Sequence, residues 1–247
     1  MYDATMAETV TIAGDGGDAV EAYLARRLDR GPRGGVVVIH HMPGYDAATK
    51  EITRRLAVQG FNALCPNLYH REAPGASPDD AAAAARAAGG VSDDRLVGDV
   101  GGAAEALRRL AGSNGKVGVI GYCSGGRQAF LAACRLRLDA VVDCYGGFVV
   151  EAAPPDSPVP RQPVVTRAAE LSCPLLGLFG ADDQHPGPAE TKELGRVLDE
   201  LGKVNELHTY EGAGHAFFAV DRPSYRPDAA ADGWRRIEAW FERHLAG

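Results

Sequence analysis

The feature that most constrains this chain is a regular alternation of short apolar runs with amphipathic stretches. The apolar runs are rich in Val, Ile and Leu, and each ends at a polar or glycine-containing junction. They lie at 35–40, 61–65, 116–120, 140–144, 175–179 and 206–210. Such runs are typical of parallel strands that are buried on both faces. Helical patterns at 47–59, 93–110, 125–135, 188–201 and 229–245 separate or follow them. The alternation predicts right-handed crossovers and a doubly wound α/β sheet.

Three further segments complete the organisation of the chain. The pattern at 8–12 and 19–25, with Gly-Asp-Gly-Gly between, predicts a β-hairpin. Residues 74–90 are Ala-rich with Pro and Gly at the edges, and we expect a small excursion above the sheet. Residues 154–163 are rich in proline and predict a surface loop. At 247 residues, the whole chain (1–247) is expected to form a single α/β domain.

Composition excludes several classes of protein. The formal net charge is −7 and there is no basic block, which disfavours a nucleic-acid partner. No apolar run approaches the roughly 20 residues that a membrane helix needs. The first 17 residues carry acidic side chains and no basic or apolar region of a secretory signal. The five cysteines have no CxxC spacing, so we expect reduced thiols in a cytoplasmic protein without a metal site.

The strongest chemical signal is the sequence Gly-Tyr-Cys-Ser-Gly at 121–125, between a strand pattern and a helix pattern. It matches the G-x-nucleophile-x-G elbow, with Cys123 in the position of the nucleophile. Glycines two residues before and after are needed because the elbow is strained and its flanking elements are tightly packed. Cys123 would also lie at a helix N-terminus, where the dipole favours a thiolate. The alternative is a buried cysteine in a Gly-rich turn.

The order of the candidate residues along the chain supports the interpretation of Cys123 as a nucleophile. An elbow of this kind requires an acid after a later strand and a histidine after the last strand. Asp182 and Asp183 follow the run at 175–179, and His215 follows the run at 206–210, just after Gly212 and Gly214. The spacing from Gly180 favours Asp183 as the acid that orients His215, and Asp182 remains the alternative. His215 could instead be a structural loop histidine.

An oxyanion hole requires two backbone N–H groups near the nucleophile. We expect one from Ser124, which directly follows Cys123. The other is expected from the loop after the first central strand, where Pro43 lacks an N–H and Met42 is the better candidate.

Taken together, these pieces resemble the dienelactone hydrolase family (carboxymethylenebutenolidases) over nearly the whole chain. The segments that carry the resemblance stand in the family's order: 65–69 (CPNLY), 71–75 (REAPG), 113–118 (SNGKVG), 121–126 (GYCSGG) and 212–215 (GAGH). The resemblance implies an α/β-hydrolase fold with about eight mostly parallel strands. It also implies a Cys–His–Asp triad, which falls on Cys123, His215 and Asp183, and hydrolysis of an enol-lactone.

The chain departs from the family at two places. The family has a Glu beside the resting thiol where this sequence has His41, which could polarise Cys123, bind a substrate carboxylate or form only a wall of the pocket. The family also binds the substrate carboxylate with two arginines. Arg86 matches the first, whereas the second position holds Ala219. Arg222 is a candidate substitute, with Arg226 nearby, although both could be solvated surface residues.

The expected function is therefore cleavage of a lactone or small activated ester through an acyl-enzyme, with no metal or organic cofactor. The substrate would be a small molecule, possibly anionic, and the protein a monomer or homodimer without nucleic-acid or membrane partners. A broad small-ester hydrolase or an acyl-handling biosynthetic enzyme would use the same nucleophile. A non-catalytic binding module on the same fold is the alternative from another class.

Overall fold

One eight-stranded sheet forms the centre of the molecule. The computed structural model describes residues 4–28, 31–42, 44–157 and 159–247. The strands are β1 (Thr5–Ala13), β2 (Ala19–Arg27), β3 (Arg33–Ile39), β4 (Asn62–Pro66), β5 (Ser113–Tyr122), β6 (Ala140–Cys144), β7 (Leu175–Gly180) and β8 (Asn205–Tyr210). Their order across the sheet is β1-β2-β4-β3-β5-β6-β7-β8. The β1–β2 and β2–β4 pairs are antiparallel and the other pairs are parallel, so the predicted hairpin and mostly parallel sheet are confirmed.

The helices lie between the strands as the sequence pattern predicts. They are α1 (Ala47–Val58), α2 (Pro78–Ala87), α3 (Asp93–Arg109), α4 (Ser124–Arg135), α5 (Pro188–Glu200) and α6 (Pro227–Leu245). The excursion predicted for 74–90 contains α2. The Ser77 side chain caps this helix by accepting from the Asp80 N–H, Pro78 begins it, and alanines favour its interior. Within the described residues, no helix combines the length and the apolar character that crossing a membrane requires.

Both faces of the sheet are buried under helices. In β3, Val36 and Val38 pack into the cluster that contains residues of α1 and α6. Val37 and Ile39 point to the opposite face, into the cluster that contains residues of α2, α3, α4 and α5. Since both faces are covered, a site for a ligand is expected at the edge where the parallel strands end. The segments that follow β3, β5, β7 and β8 meet at that edge.

Candidate active site

The turn between β5 and α4 has the geometry that the glycine spacing predicts. Cys123 has a φ of 57°, a left-handed conformation that is strained for any residue other than glycine. A Cβ on Gly121 would lie 1.8 Å from the Gly125 carbonyl oxygen. A Cβ on Gly125 would lie 2.5 Å from the Ile39 carbonyl oxygen. Only glycine fits at either position, because both contacts are with backbone.

The backbone holds Cys123 in this turn while leaving its side chain accessible. The Cys123 N–H donates to the Cys144 carbonyl at 3.0 Å, and the Gly126 N–H donates to the Cys123 carbonyl at 2.9 Å. Cys123 is half-buried, whereas the other four cysteines are buried. Burial raises the pKa of each of those four thiols: Cys65, Cys134, Cys144 and Cys173. They therefore remain neutral apolar groups, and Cys123 is the most accessible thiol of the chain.

His215 and Asp183 meet where the loops after β7 and β8 converge. The Nδ1 of His215 lies 2.8 Å from Oδ2 of Asp183. The other oxygen, Oδ1, accepts the His185 N–H at 2.9 Å, which fixes the carboxylate. Asp183 is buried, and the neighbouring Asp182 is exposed. Of the two adjacent aspartates, Asp183 is thus the one paired with the imidazole.

The environment of His215 stabilises its charged form. Burial alone would lower the pKa of the imidazole, but hydrogen bonds with Asp183 and Cys123 outweigh it and raise the pKa to about 10. The imidazole is therefore protonated near neutral pH. An imidazolium beside a thiol favours the thiolate. The Tyr145 ring packs edge-on against His215, with 5.2 Å between ring centroids, and restricts the imidazole's rotation.

His40 ties the loop after β3 to the segment that follows β4. The imidazole of His40 is buried and accepts the Leu68 N–H at Nε2 over 3.2 Å. Its Nδ1 then carries the proton and donates to the His41 carbonyl at 2.9 Å. Burial lowers the pKa of His40 to about 4, so this histidine is neutral. His40 was assigned no role from its sequence position, and the only available signal was that it directly precedes the predicted oxyanion loop.

One cavity of about 560 Å³ brings most of the predicted site residues together. It is lined by residues that follow several strands, together with residues of α2, α4 and the loop after β6. They are Met42, Arg86, Cys123, Ser124, Arg127, Gly147, Phe148, Ser157, Val159, Arg161, Asp182, Asp183, Gln184, His185 and His215. Met42 and Ser124, the predicted oxyanion donors, lie beside Cys123, while Pro43 lies outside the described residues. Within the described part of the chain, no three His, Cys, Asp or Glu side chains are grouped to hold a metal ion.

Three arginines line this cavity: Arg86, Arg127 and Arg161. Arg127 is almost fully buried and is neutralised by Asp93, with N–O distances of 3.0 and 3.1 Å. Arg161 is half-buried, and among the described residues no carboxylate is hydrogen-bonded to its guanidinium. Burial and the neighbouring Arg127 lower the pKa of Arg161, and the charges of Asp93 and Tyr69 oppose that shift only in part. Sequence analysis missed Arg161 because it lies in a proline-rich loop that matches no motif.

Two predicted substrate-binding residues lie elsewhere. His41 does not line the Cys123 cavity; its Nε2 lies 2.8 Å from Oδ2 of Asp46, the residue that caps α1. Burial would raise the pKa of Asp46, but hydrogen bonds from His41 and from the Thr49 N–H outweigh it and lower the pKa to about 2. Asp46 is therefore ionised and attracts the imidazole of His41 away from Cys123. The direction of the His41 side chain is thus set by a partner five residues along the chain.

The arginines after His215 are also outside the cavity. Arg222 is exposed and is not part of the cavity lining. Arg226 donates to the carbonyl oxygens of Gly212, Pro223 and Tyr225, and these bonds hold the loop before α6. Of the predicted arginines, Arg86 alone lines the cavity, and Arg161, which was not predicted, lines it as well.

Comparisons with known proteins agree with this geometry. The model of the dienelactone hydrolase family matches residues 20–245. A "putative carboxymethylenebutenolidase" of Escherichia coli (strain K12) is 33% identical over 234 residues, which cover 92% of this chain and 84% of the relative. A carboxymethylenebutenolidase of Pseudomonas putida is 32% identical over 203 residues, which cover 79% and 80%. The crystal structure of a "putative dienelactone hydrolase" from Klebsiella pneumoniae superposes with a TM-score of 0.85 at 30% identity, covering 98% of this chain and all of that one. The chain therefore belongs to the dienelactone hydrolase family, enzymes that hydrolyse ester bonds on an α/β-hydrolase fold.

Proposed function

We propose that this protein hydrolyses a lactone or small activated ester that carries an anionic group, with Cys123 as the nucleophile. The observation that carries the proposal is the arrangement around His215. Its Nδ1 lies 2.8 Å from the buried Asp183, and Cys123, Asp183 and His215 line the same 560 Å³ cavity. A nucleophile, a base and an orienting acid in this relation are what acyl transfer requires.

In the first half of the reaction, the Cys123 thiolate attacks the carbonyl carbon of the substrate. The S–C bond forms, and the carbonyl oxygen becomes an oxyanion that the N–H groups of Met42 and Ser124 would stabilise. When the oxyanion collapses, the C–O ester bond breaks and the leaving oxygen takes the proton from Nε2 of His215. In a lactone, the leaving alcohol stays attached to the acyl group.

In the second half, the thioester is hydrolysed. His215, now neutral, takes a proton from a water molecule as the water attacks the acyl carbon. The C–S bond then breaks, which returns Cys123 to a thiolate and His215 to an imidazolium. Asp183 keeps Nδ1 protonated throughout and stabilises the charged ring.

The arginines that line the cavity favour a substrate that carries an anionic group. Arg86 and Arg161 line it without a hydrogen-bonded carboxylate from the described residues. A carboxylate on the substrate would supply the missing partner, and guanidinium–carboxylate pairs are among the stronger hydrogen bonds. Arg127 would add little, because Asp93 already neutralises it.

The proposal is tested with p-nitrophenyl esters of similar length, one neutral (butyrate) and one anionic (hemisuccinate). The protein should cleave both, with a lower KM for the anionic ester. Arg161→Gln should raise the KM for the hemisuccinate about tenfold, which corresponds to one charge-assisted hydrogen bond of about 1.4 kcal/mol. The KM for the butyrate should stay within about twofold.

The matched control is Arg167→Gln, which removes a surface arginine paired with Glu170. It should change neither KM. Equal KM values for both esters in the wild type would contradict the anionic substrate and favour a broad small-ester hydrolase. Failure to cleave any ester or lactone would contradict the catalytic proposal and favour a binding module.

A further inference from the structure

Phe148 is an aromatic residue of the Cys123 cavity that the proposed reaction does not use. It is half-buried and lines the cavity. The two hydrophobic clusters formed by the described residues do not include it, although the next two residues, Val149 and Val150, lie in or against one of them. Ligand cavities are typically lined by apolar and aromatic side chains. A large ring that is kept out of the core but lines such a cavity therefore favours a role in binding.

The backbone of Phe148 is held in a strained conformation. Its φ is 64°, in the left-handed region that costs free energy for a bulky residue. Hydrogen bonds fix the residues that follow it. The Val149 carbonyl accepts the Val164 N–H at 2.9 Å, and the Val150 N–H donates to Oε1 of the buried Glu190 at 3.1 Å. Because the loop is fixed in this way, the ring is in place before a ligand arrives.

The ring of Phe148 lies beside the imidazole of His185, which lines the same cavity. The two ring centroids are 5.3 Å apart, and the ring planes are inclined by 33°. The two loops approach closely because residue 147 is a glycine, where a Cβ would lie 2.8 Å from the His185 carbonyl oxygen. The His185 N–H donates to Asp183, so this pair of rings stands next to the proposed catalytic groups.

The size and the charges of the cavity indicate what this pair of rings binds. A benzene-sized ring needs about 150 Å³. The cavity of about 560 Å³ therefore holds such a ring in addition to an ester group and a carboxylate. An aromatic ligand gains from offset contacts between π-systems beyond the area that it buries, whereas an alkyl group does not. Arg86 and Arg161 line the same cavity and disfavour a cationic ring.

We propose that Phe148 and His185 form a binding subsite for an aromatic ring of the substrate. This inference rests on the proposed function and narrows it, because the substrate would be an ester or lactone that carries both an aromatic ring and an anionic group. Phe148 is then a residue that determines specificity and takes no part in making or breaking bonds.

The test compares two monocarboxylates of equal chain length, 3-phenylpropanoate and 3-cyclohexylpropanoate, in calorimetric titrations of the full-length protein. The cyclohexyl acid is the more apolar, so burial of apolar area alone would favour it. The wild type should nevertheless bind the phenyl acid about fivefold more tightly, because only the phenyl ring gains from contacts between π-systems. Phe148→Leu keeps an apolar side chain and should weaken the phenyl acid about fivefold, with little change for the cyclohexyl acid.

Phe148→Gly removes the ring together with the strain of its backbone. It should also lose the preference for the phenyl acid, without lowering the midpoint of urea unfolding, because the ring is not part of the core. Arg161→Gln is the control, which should weaken both acids by the same factor. Cys123→Ala should bind both acids as the wild type does, since binding needs no nucleophile.

Equal or tighter binding of the cyclohexyl acid by the wild type would overturn the subsite, as would failure of both acids to bind. A preference that survives in Phe148→Leu and Phe148→Gly would remove Phe148 from the role. A Phe148→Gly protein less stable than the wild type would assign the ring to the fold instead. An aromatic preference without cleavage of any ester would contradict the proposed hydrolysis alone, and ester cleavage without that preference would contradict the subsite alone.

Discussion

The two sides of the Cys123 cavity are built in different ways. On one side, the elbow is set by backbone contacts: glycines at 121 and 125 meet carbonyl oxygens at distances that admit no Cβ. On the other side, the wall consists of Arg86, Val159 and Arg161, side chains on α2 and on the loop after β6. The position of Cys123 is therefore fixed by local sterics, whereas the opposite wall of the cavity depends on side chains that can move.

The largest expected effect is on the acid that orients the imidazole. Asp183→Asn should lower kcat about a thousandfold, because an amide cannot stabilise the imidazolium and can hold the wrong tautomer. The matched control is Asp182→Asn, which removes an exposed carboxylate from the same turn and should cost less than threefold. Steady-state kinetics on one ester measures both variants. The reverse ranking would assign the role to Asp182.

The second expected effect is on the stability of the elbow. Gly121→Ala should lower the free energy of unfolding by about 3 kcal/mol or more, since its Cβ would lie 1.8 Å from the Gly125 carbonyl oxygen. Gly101→Ala in α3 is the control, because a Cβ there would meet only Leu136 at 3.4 Å and alanine favours a helix. Urea unfolding compares the two. A Gly121→Ala protein as stable as the wild type would contradict the steric account.

A buried carboxyl beneath the elbow predicts a pH dependence. Burial raises the pKa of Asp143 to about 8, partly opposed by a hydrogen bond from the Gly146 N–H. An unfolded Asp has a pKa of about 3.9. Between these values the folded protein binds a proton that the unfolded chain does not, so stability should fall as pH rises from about 4 to 8. Asp143→Asn should flatten this fall in urea unfolding at several pH values. An unchanged slope would contradict the assignment.

The smallest expected effect is on the wall of the cavity that Arg86, Val159 and Arg161 form. A Cβ on Gly90 would lie 2.6 Å from Cγ1 of Val159 and 3.2 Å from Nη2 of Arg161, both of which can shift. Gly90→Ala should therefore raise the KM for an anionic ester severalfold with little change in kcat. Gly89→Ala is the control, because it shares the positive φ and meets no atom within 4 Å. Equal effects of the two variants would attribute the change to backbone strain alone.

The contrast between positions set by the backbone and positions set by mobile side chains also explains which features could be predicted from the sequence. The strands, the elbow and the spacing of Asp183 and His215 follow from periodicity and from glycines whose positions sterics dictate. The pairing of His41 with Asp46 could not be predicted, because it depends on the direction of one side chain in a loop. The position of Arg161 could not be predicted either, because its place in the cavity results from the path of an irregular loop across the sheet edge.

The central claim, that Cys123 carries the acyl group, is tested most directly by trapping the intermediate. The protein would be mixed with p-nitrophenyl acetate, quenched in acid within the first turnover and digested for peptide mass spectrometry. We expect one acetyl group on the peptide that contains Cys123, and none in a Cys123→Ala variant that retains its circular dichroism spectrum. An acetyl group on another residue, or full ester hydrolysis by Cys123→Ala, would contradict it.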